Sequence, residues 1–180
     1  MNGYGVVLFL HLAALLAAIS TAGIAHFAEG RLAAAETVAA ARPWASLLSR
    51  AAPVFPLVLL VLLASGAYLV HRGWGWSNGW IEAGLVGVFL LFANGAGVVG
   101  RRNLVLKRAL SAAADGPLTD ALLQLTRRDV GGIASWANTG LAIGVVFVMT
   151  TKPGLAGSLA ALAAAAALGV MVGSRLRRHG

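Results

Sequence analysis

Apolar residues fall into five long runs, at about 6–27, 54–70, 80–100, 133–151 and 155–173, and the segments between them carry nearly all the charge. Each run is close to the ~20 residues a helix needs to cross a ~30 Å hydrocarbon layer. The runs are continuous, not alternating, and exceed the ~10 residues of a membrane β-strand, which excludes a barrel. A helix satisfies its own backbone hydrogen bonds where lipid offers none. The pattern therefore predicts an all-α, polytopic transmembrane bundle of five spans, with residues 1–180 as a single domain.

Composition agrees. Charged residues make up 11% of the chain and hydrophobic ones 59%, against ~25% charged for a soluble domain. No cysteine is present, which removes disulfides, thiolate metal sites, iron–sulfur clusters and thiol-linked haem. The first run resembles a secretory signal only superficially. Its leader, Met1 to Gly5, has no basic residue and the run is long, so it is expected to stay as a span.

The net charge of +8 raises nucleic acid as a partner, and its placement argues against that. Arg31, Arg42 and Arg50 follow the first run. Arg101, Arg102, Lys107, Arg108, Arg127 and Arg128 follow the third, and Arg175, Arg177 and Arg178 close the chain. Only Arg72 and Lys152 lie in the other two connections. Basic residues on alternate loops are the signature of topology selection, and they attract anionic headgroups. The expected orientation is N-terminus outside and C-terminus in the cytoplasm, in the inner (cytoplasmic) membrane. Trp74, Trp76 and Trp80 crowd the short outer loop, with Trp44 and Trp136 near the inner interface, as amphipathic rings prefer.

On the basic side, the first helix is expected to continue to about Ala41 and break at Arg42-Pro43. A short helix from Trp44 to Ala51 comes next, before Pro53 and Pro56 open the second span. Asp115-Gly116-Pro117 reads as a turn. Beyond it, Leu118, Ala121, Leu122 and Leu125 form a stripe at helical spacing. That suggests a short amphipathic helix on the inner membrane surface, or one that docks a partner.

Gly157, Ala161, Ala165, Gly169 and Gly173 recur every fourth residue in the fifth run. Such a stripe lets another backbone approach closely. Gly140 and Gly144 offer a matching surface, and the Lys152-Pro153-Gly154 turn makes a tight hairpin of the last two spans. The same stripe could serve a membrane-protein partner or a homo-oligomer.

Chemistry, if any, lies with the few polar residues in or near the spans. His11 and His71 both fall in the outer leaflet, where neighbouring antiparallel spans could level them. Neutral imidazole is a good axial haem ligand, so haem b between spans 1 and 2 is the cofactor to consider. The competing reading has His11 bonding a neighbouring helix and His71 at the interface. His26 lies fifteen residues from His11, about 22 Å along a helix, so one haem cannot use both. Glu82 opens the third span, where it can pair with Arg72 or His71 or join a cation path. Asn94 and Asn138 are placed to bond each other across the bundle. No charged residue lies near a span centre, which weighs against ion-coupled transport. Gly95, Gly97 and Gly100 match a dinucleotide fingerprint by letters only, without a preceding strand. No catalytic or metal-site motif is present.

Several stretches are similar to a known family: "FLHLAALLAA" in the first span, "LLASGAYLV" in the second, Trp80 at the start of the third, and "VVFVMTTKPG" closing the fourth. They resemble the small bacterial membrane family catalogued as domain of unknown function 2269, most specifically at Met149-Thr150-Thr151-Lys152-Pro153. More remotely, the first span is similar to the copper-resistance D membrane domain and to HemJ-type haem-biosynthesis proteins. The latter resemblance implies a haem-bearing bundle with His11 at the family's first-span histidine. The charged and aromatic residues expected beside it are missing here.

Three functions stand as expectations: haem binding through His11 and His71 for electron transfer or redox sensing; a non-catalytic accessory or scaffold subunit of a larger membrane complex; and small-solute transport. An enzyme is the least supported.

Overall fold

The computed structural model describes residues 3–127 and 130–178, and over these it is helical, with one isolated β-bridge, Thr37 to Pro117. Five helices are long and apolar enough to cross a membrane. They comprise α1 (Gly3–Ala33), α3 (Val54–Gly73), the rod that α4 (Gly79–Asn94) begins, α7 (Val130–Thr151) and α8 (Leu155–Arg178). A π-helical turn, Gly95–Gly100, carries α4 into α5 (Arg101–Ala112), so that three elements make one rod. Two shorter helices, α2 (Val38–Ala51) and α6 (Asp120–Arg127), lie in the basic connections.

The rods wear their large apolar side chains outside. Phe9 is 69% exposed and Phe89 67%, the inverse of a protein folded against water. Small residues do the packing within. A Cβ built on Gly140 would strike the Ala165 carbonyl oxygen, and one on Gly169 the Trp136 carbonyl oxygen. A Cβ on Gly173 would stand 3.0 Å from the Trp136 Cβ. Backbone touching backbone here makes α7 and α8 the expected hairpin, turned at Lys152, whose φ is +50°. Gly79 fits α4 against the start of α8 in the same way, since its Cβ would lie 2.8 Å from the Leu155 nitrogen. Gly157 differs: its nearest neighbour is Pro153 of its own turn, at 3.3 Å. From Ala165 to Gly173 the stripe packs on α7 of the same chain, as the hairpin expectation requires.

The long rods outrun a bilayer. At 1.5 Å per residue α1 extends about 46 Å, well beyond a ~30 Å core. Its last turns join α2, α5 and α6 in a cap at the basic end with its own apolar centre, built from Ala28, Leu32, Val38, Ala41, Ala45, Leu48, Leu106, Leu110, Leu118 and Leu122. Two backbone bonds tie its loops together, Val38 N–H to the Gly116 carbonyl (2.9 Å) and Leu118 N–H to the Glu36 carbonyl (3.0 Å). Gly116 supplies the expected turn with φ +154°.

The cap corrects three expectations. Helix α1 stops at Ala33, not near Ala41, because Thr37 caps a new helix: its hydroxyl accepts from the Ala40 N–H at 3.2 Å. Pro43 then lies inside α2 instead of breaking a helix. Burying Val38, Ala41, Ala45 and Leu48 on one face offsets the ~3 kcal/mol an interior proline costs. Finally, Leu118 and Leu122 of the α6 stripe are buried in the cap, so that face is not free to lie on lipid.

Two arginines act as clamps on helix ends. Arg42 donates from Nε to the Leu110 carbonyl (3.0 Å), from Nη2 to the Ala113 carbonyl (2.5 Å) and from Nη1 to Asp115 (2.5 Å). Arg127 donates to the carbonyls of Ala33 (3.1 Å) and Ala35 (3.5 Å). Each satisfies carbonyls that a helix terminus leaves without partners.

Candidate functional site

Where the cap meets the spans, polar side chains from α1, α4, α5 and α7 converge. His26 stacks on Trp136, ring centroids 4.1 Å apart and planes at 21°. Its Nε2 lies 2.7 Å from the Thr139 hydroxyl, and its Nδ1 3.3 Å from Glu29 Oε2. The other Glu29 oxygen accepts from Arg102 Nη1 at 3.4 Å, and the same nitrogen donates to Asn103 Oδ1 at 3.1 Å. The His26, Glu29 and Arg102 side chains are only 15%, 11% and 8% exposed. Deeper in the bundle, Asn94 Nδ2 donates to Asn138 Oδ1 (2.7 Å) and to the Ala134 carbonyl (2.9 Å).

Local sequence explains how these groups meet. His26 and Glu29, three residues apart, share a face of α1. Thr139 and Trp136 share one of α7 by the same rule. Arg102 depends on the π-turn. One extra residue per turn rotates the helix beyond it by about 100°, the angle one α-helical residue subtends. In Gly95–Gly100 three of the six residues are glycine, which weakens α-helix preference at that point.

The expected pair of asparagines is therefore present, and His26 belongs to a network that sequence reasoning left unassembled. Glu29 and Arg102 were missed as site residues because each sits at the edge of a span, where a charge reads as interfacial. The only local signal was the i, i+3 spacing of His26 and Glu29.

His11 and His71 are not brought together. His11 Nδ1 lies 2.9 Å from the Ser65 hydroxyl, which itself donates to the Val61 carbonyl. A Cβ on Gly66 would stand 3.4 Å from the His11 ring. His71 is exposed and lies six residues beyond Ser65, about 9 Å along α3 and some 240° around it. His11 thus has its own partner on α3, and among the described residues no hydrogen bond joins it to His71. Glu82 is exposed in the first turn of α4, where it complements the helix dipole. Among the described residues no ion pair joins it to Arg72 or His71.

At the opposite end, Lys152 places its ammonium 3.9 Å from the Trp74 ring centroid and 5.9 Å from that of Trp80. The two indoles meet edge to face at 5.7 Å. This contact pins the α7–α8 turn to the loop between α3 and α4.

No family model matches the chain, and neither a curated protein nor a solved structure matches it.

Proposed function

We propose that this protein is a non-catalytic accessory or scaffold subunit of a larger complex in the cytoplasmic membrane. The N-terminus faces outward, and the cap and C-terminus lie in the cytoplasm. One observation carries the reading: among the described residues every buried side-chain nitrogen or oxygen is hydrogen-bonded. Asn94 holds Asn138, His26 holds Thr139 and His11 holds Ser65. A transport path or a ligand cradle needs polar groups aimed at a guest. Here they are aimed at neighbouring helices, and their work is to fix the bundle. The orientation is supported by the clustering of arginines in and around the cap, which favours the side of anionic headgroups.

The role is tested by extracting a tagged copy from its native membranes in mild detergent. A second membrane protein should co-elute at constant ratio through affinity and size-exclusion steps. A chain that emerges alone, folded and monomeric, would overturn the scaffold reading. Because the chain has no cysteine, single cysteines at Ser77 and Ala114 can be labelled in intact cells with an impermeant maleimide. Ser77 should react and Ala114 should not; the reverse pattern sinks the orientation.

A further inference from the structure

We infer that the outer stripe of α5 is a docking site for an anionic phospholipid headgroup. Arg101 and Arg108 are its cationic anchors, and Leu104 and Val105 are the apolar floor between them. The twelve residues of α5, Arg101–Ala112, carry four cations and no acid. Arg102 is turned inward to Glu29 and Asn103. Asn103, Leu106 and Leu110 are buried. On the other side, Arg101, Leu104, Val105 and Arg108 follow the i, i+3, i+4, i+7 spacing of a single helix face. All four are exposed, and so is Lys107 at the edge of the stripe. Leu104 is 47% and Val105 52% open, which large apolar side chains facing water alone would not favour.

The charges of this stripe are not used within the chain. Arg42 and Arg127 clamp helix ends, and Arg31 lies 5.6 Å over the Trp44 ring. Among the described residues no ion pair engages Arg101, Lys107 or Arg108. The carboxylates that could have answered them are committed or distant. Glu29 is held by Arg102 and Asp115 by Arg42. Glu36 and Asp120 stand with the loops beyond the far end of α5, where the Glu36 carbonyl meets the Leu118 N–H.

Depth and direction select lipid as the anion. Residues 79–100 of the α4–α5 rod extend about 33 Å, close to the ~30 Å hydrocarbon core. Arg101 is the next residue, at the start of the headgroup layer, which adds ~5–7 Å on each side. Side chains on a helix lean toward its N-terminus, and the N-terminus of α5 is its membrane end. Lys107 and Arg108 therefore lean back toward the phosphates, their stems lying along Leu104 and Val105. Lipid supplies both halves of the matching chemistry: phosphate oxygens for the guanidinium groups, and glycerol and upper acyl carbon for the apolar pair. Val98, 41% exposed one turn earlier, continues that surface into the core. The site requires that this rod cross the bilayer. It takes from the orientation proposed above only the choice of the cytoplasmic leaflet, and it requires no partner subunit.

The test uses the full chain, which has no cysteine, with a single cysteine at Val98 carrying a bimane fluorophore. The protein is placed in phosphatidylcholine nanodiscs, whose two faces are both open. These contain phosphatidylglycerol or phosphatidylcholine, at equal mole fraction, bearing a nitroxide high on one acyl chain. Contact quenching by phosphatidylglycerol should exceed that by phosphatidylcholine several-fold at low salt. The two should converge at about 1 M salt, where the screening length is ~3 Å. Arg101→Gln and Arg108→Gln should each cut the preference by up to about fivefold, while Arg101→Lys and Arg108→Lys retain most of it. Arg72→Gln, at the opposite end of the bundle, should leave it unchanged. Unaltered melting in phosphatidylcholine alone shows that each variant is folded. Equal quenching by the two lipids in the parent protein, or a preference that survives the double Arg101→Gln, Arg108→Gln variant, overturns the site. Equal quenching from a protein that still co-elutes with a membrane partner would remove the lipid site and leave the scaffold role standing.

Discussion

Replacing Gly169 with alanine tests the seam between α7 and α8, and its result can be worked from the backbone. The added methyl would run into the Trp136 carbonyl oxygen and stand 3.0 Å from the Ala137 Cα. Both obstacles are main chain, so no side chain can rotate out of the way and the helices must move apart. Overpacking of this kind costs about 1–3 kcal/mol. Alanine's advantage over glycine inside a helix returns about 0.5–1 kcal/mol. The net loss should be up to about 2.5 kcal/mol, or up to about 10 °C in Tm at ~2–4 °C per kcal/mol for a chain of this size. Gly23→Ala is the control, because a Cβ there meets nothing within 4 Å; its Tm should hold or rise. Gly140→Ala approaches the same seam from the other helix, against the Ala165 carbonyl. Since both variants open one interface, the double variant should lose less than the sum of the singles. The assay is thermal unfolding of the wild type and all four variants in one detergent. A Gly169→Ala protein melting at or above Gly23→Ala would show that these backbones do not approach as closely as described.

Three further outcomes rest on single contacts. Lys152→Ala keeps an unfavourable φ of +50° and loses the cation–π contact, which should lower stability by about 0.5–2 kcal/mol; Lys152→Gly relieves the backbone and should melt above the alanine variant. Arg42→Ala strips two carbonyls of their charged donor, with an expected loss of about 1–3 kcal/mol, read as faster proteolysis within the cap while the spans stay protected. His11→Ala should remove a packing contact and leave the visible spectrum of haem-supplemented, purified protein unchanged; a Soret band that depends on His11 would show that α1 and α3 part to admit a haem.

The features legible along the chain are those a bilayer imposes locally. A span is a run of neighbours, so the five rods declare themselves in order, and the fourfold recurrence from Gly157 to Gly173 announces a close-packed face. Even there the pattern overreached: it counted Gly157 with the rest, although that residue meets only the turn that precedes it. The π-turn after Asn94 left no mark beyond a few glycines, yet it sets the angle at which Arg102 leaves its helix. The cap was read as separate pieces because its apolar positions are scattered over four elements. Burial of Leu32 against Leu106 and Leu122 is a fact of assembly, not of periodicity.

The polar junction shows the limit most sharply. Histidines were sought as a pair because two imidazoles at one depth suggest a metal, and His11 and His71 satisfied that depth. Depth along a helix is legible from residue count, but direction around the axis matters only once a neighbour's phase is known. His11 found Ser65, and His71 faces outward. His26 was set aside because it lies about 22 Å along the helix from His11, near the basic end of the span. The cap changes that environment: by covering the basic end with protein, it turns Glu29 and Arg102 from interfacial charges into buried partners. Buried charges must be matched, and the match here spans residues 26, 29 and 102 with Thr139. The same enclosure that hid the site from sequence reasoning gives His26 its two fixed partners.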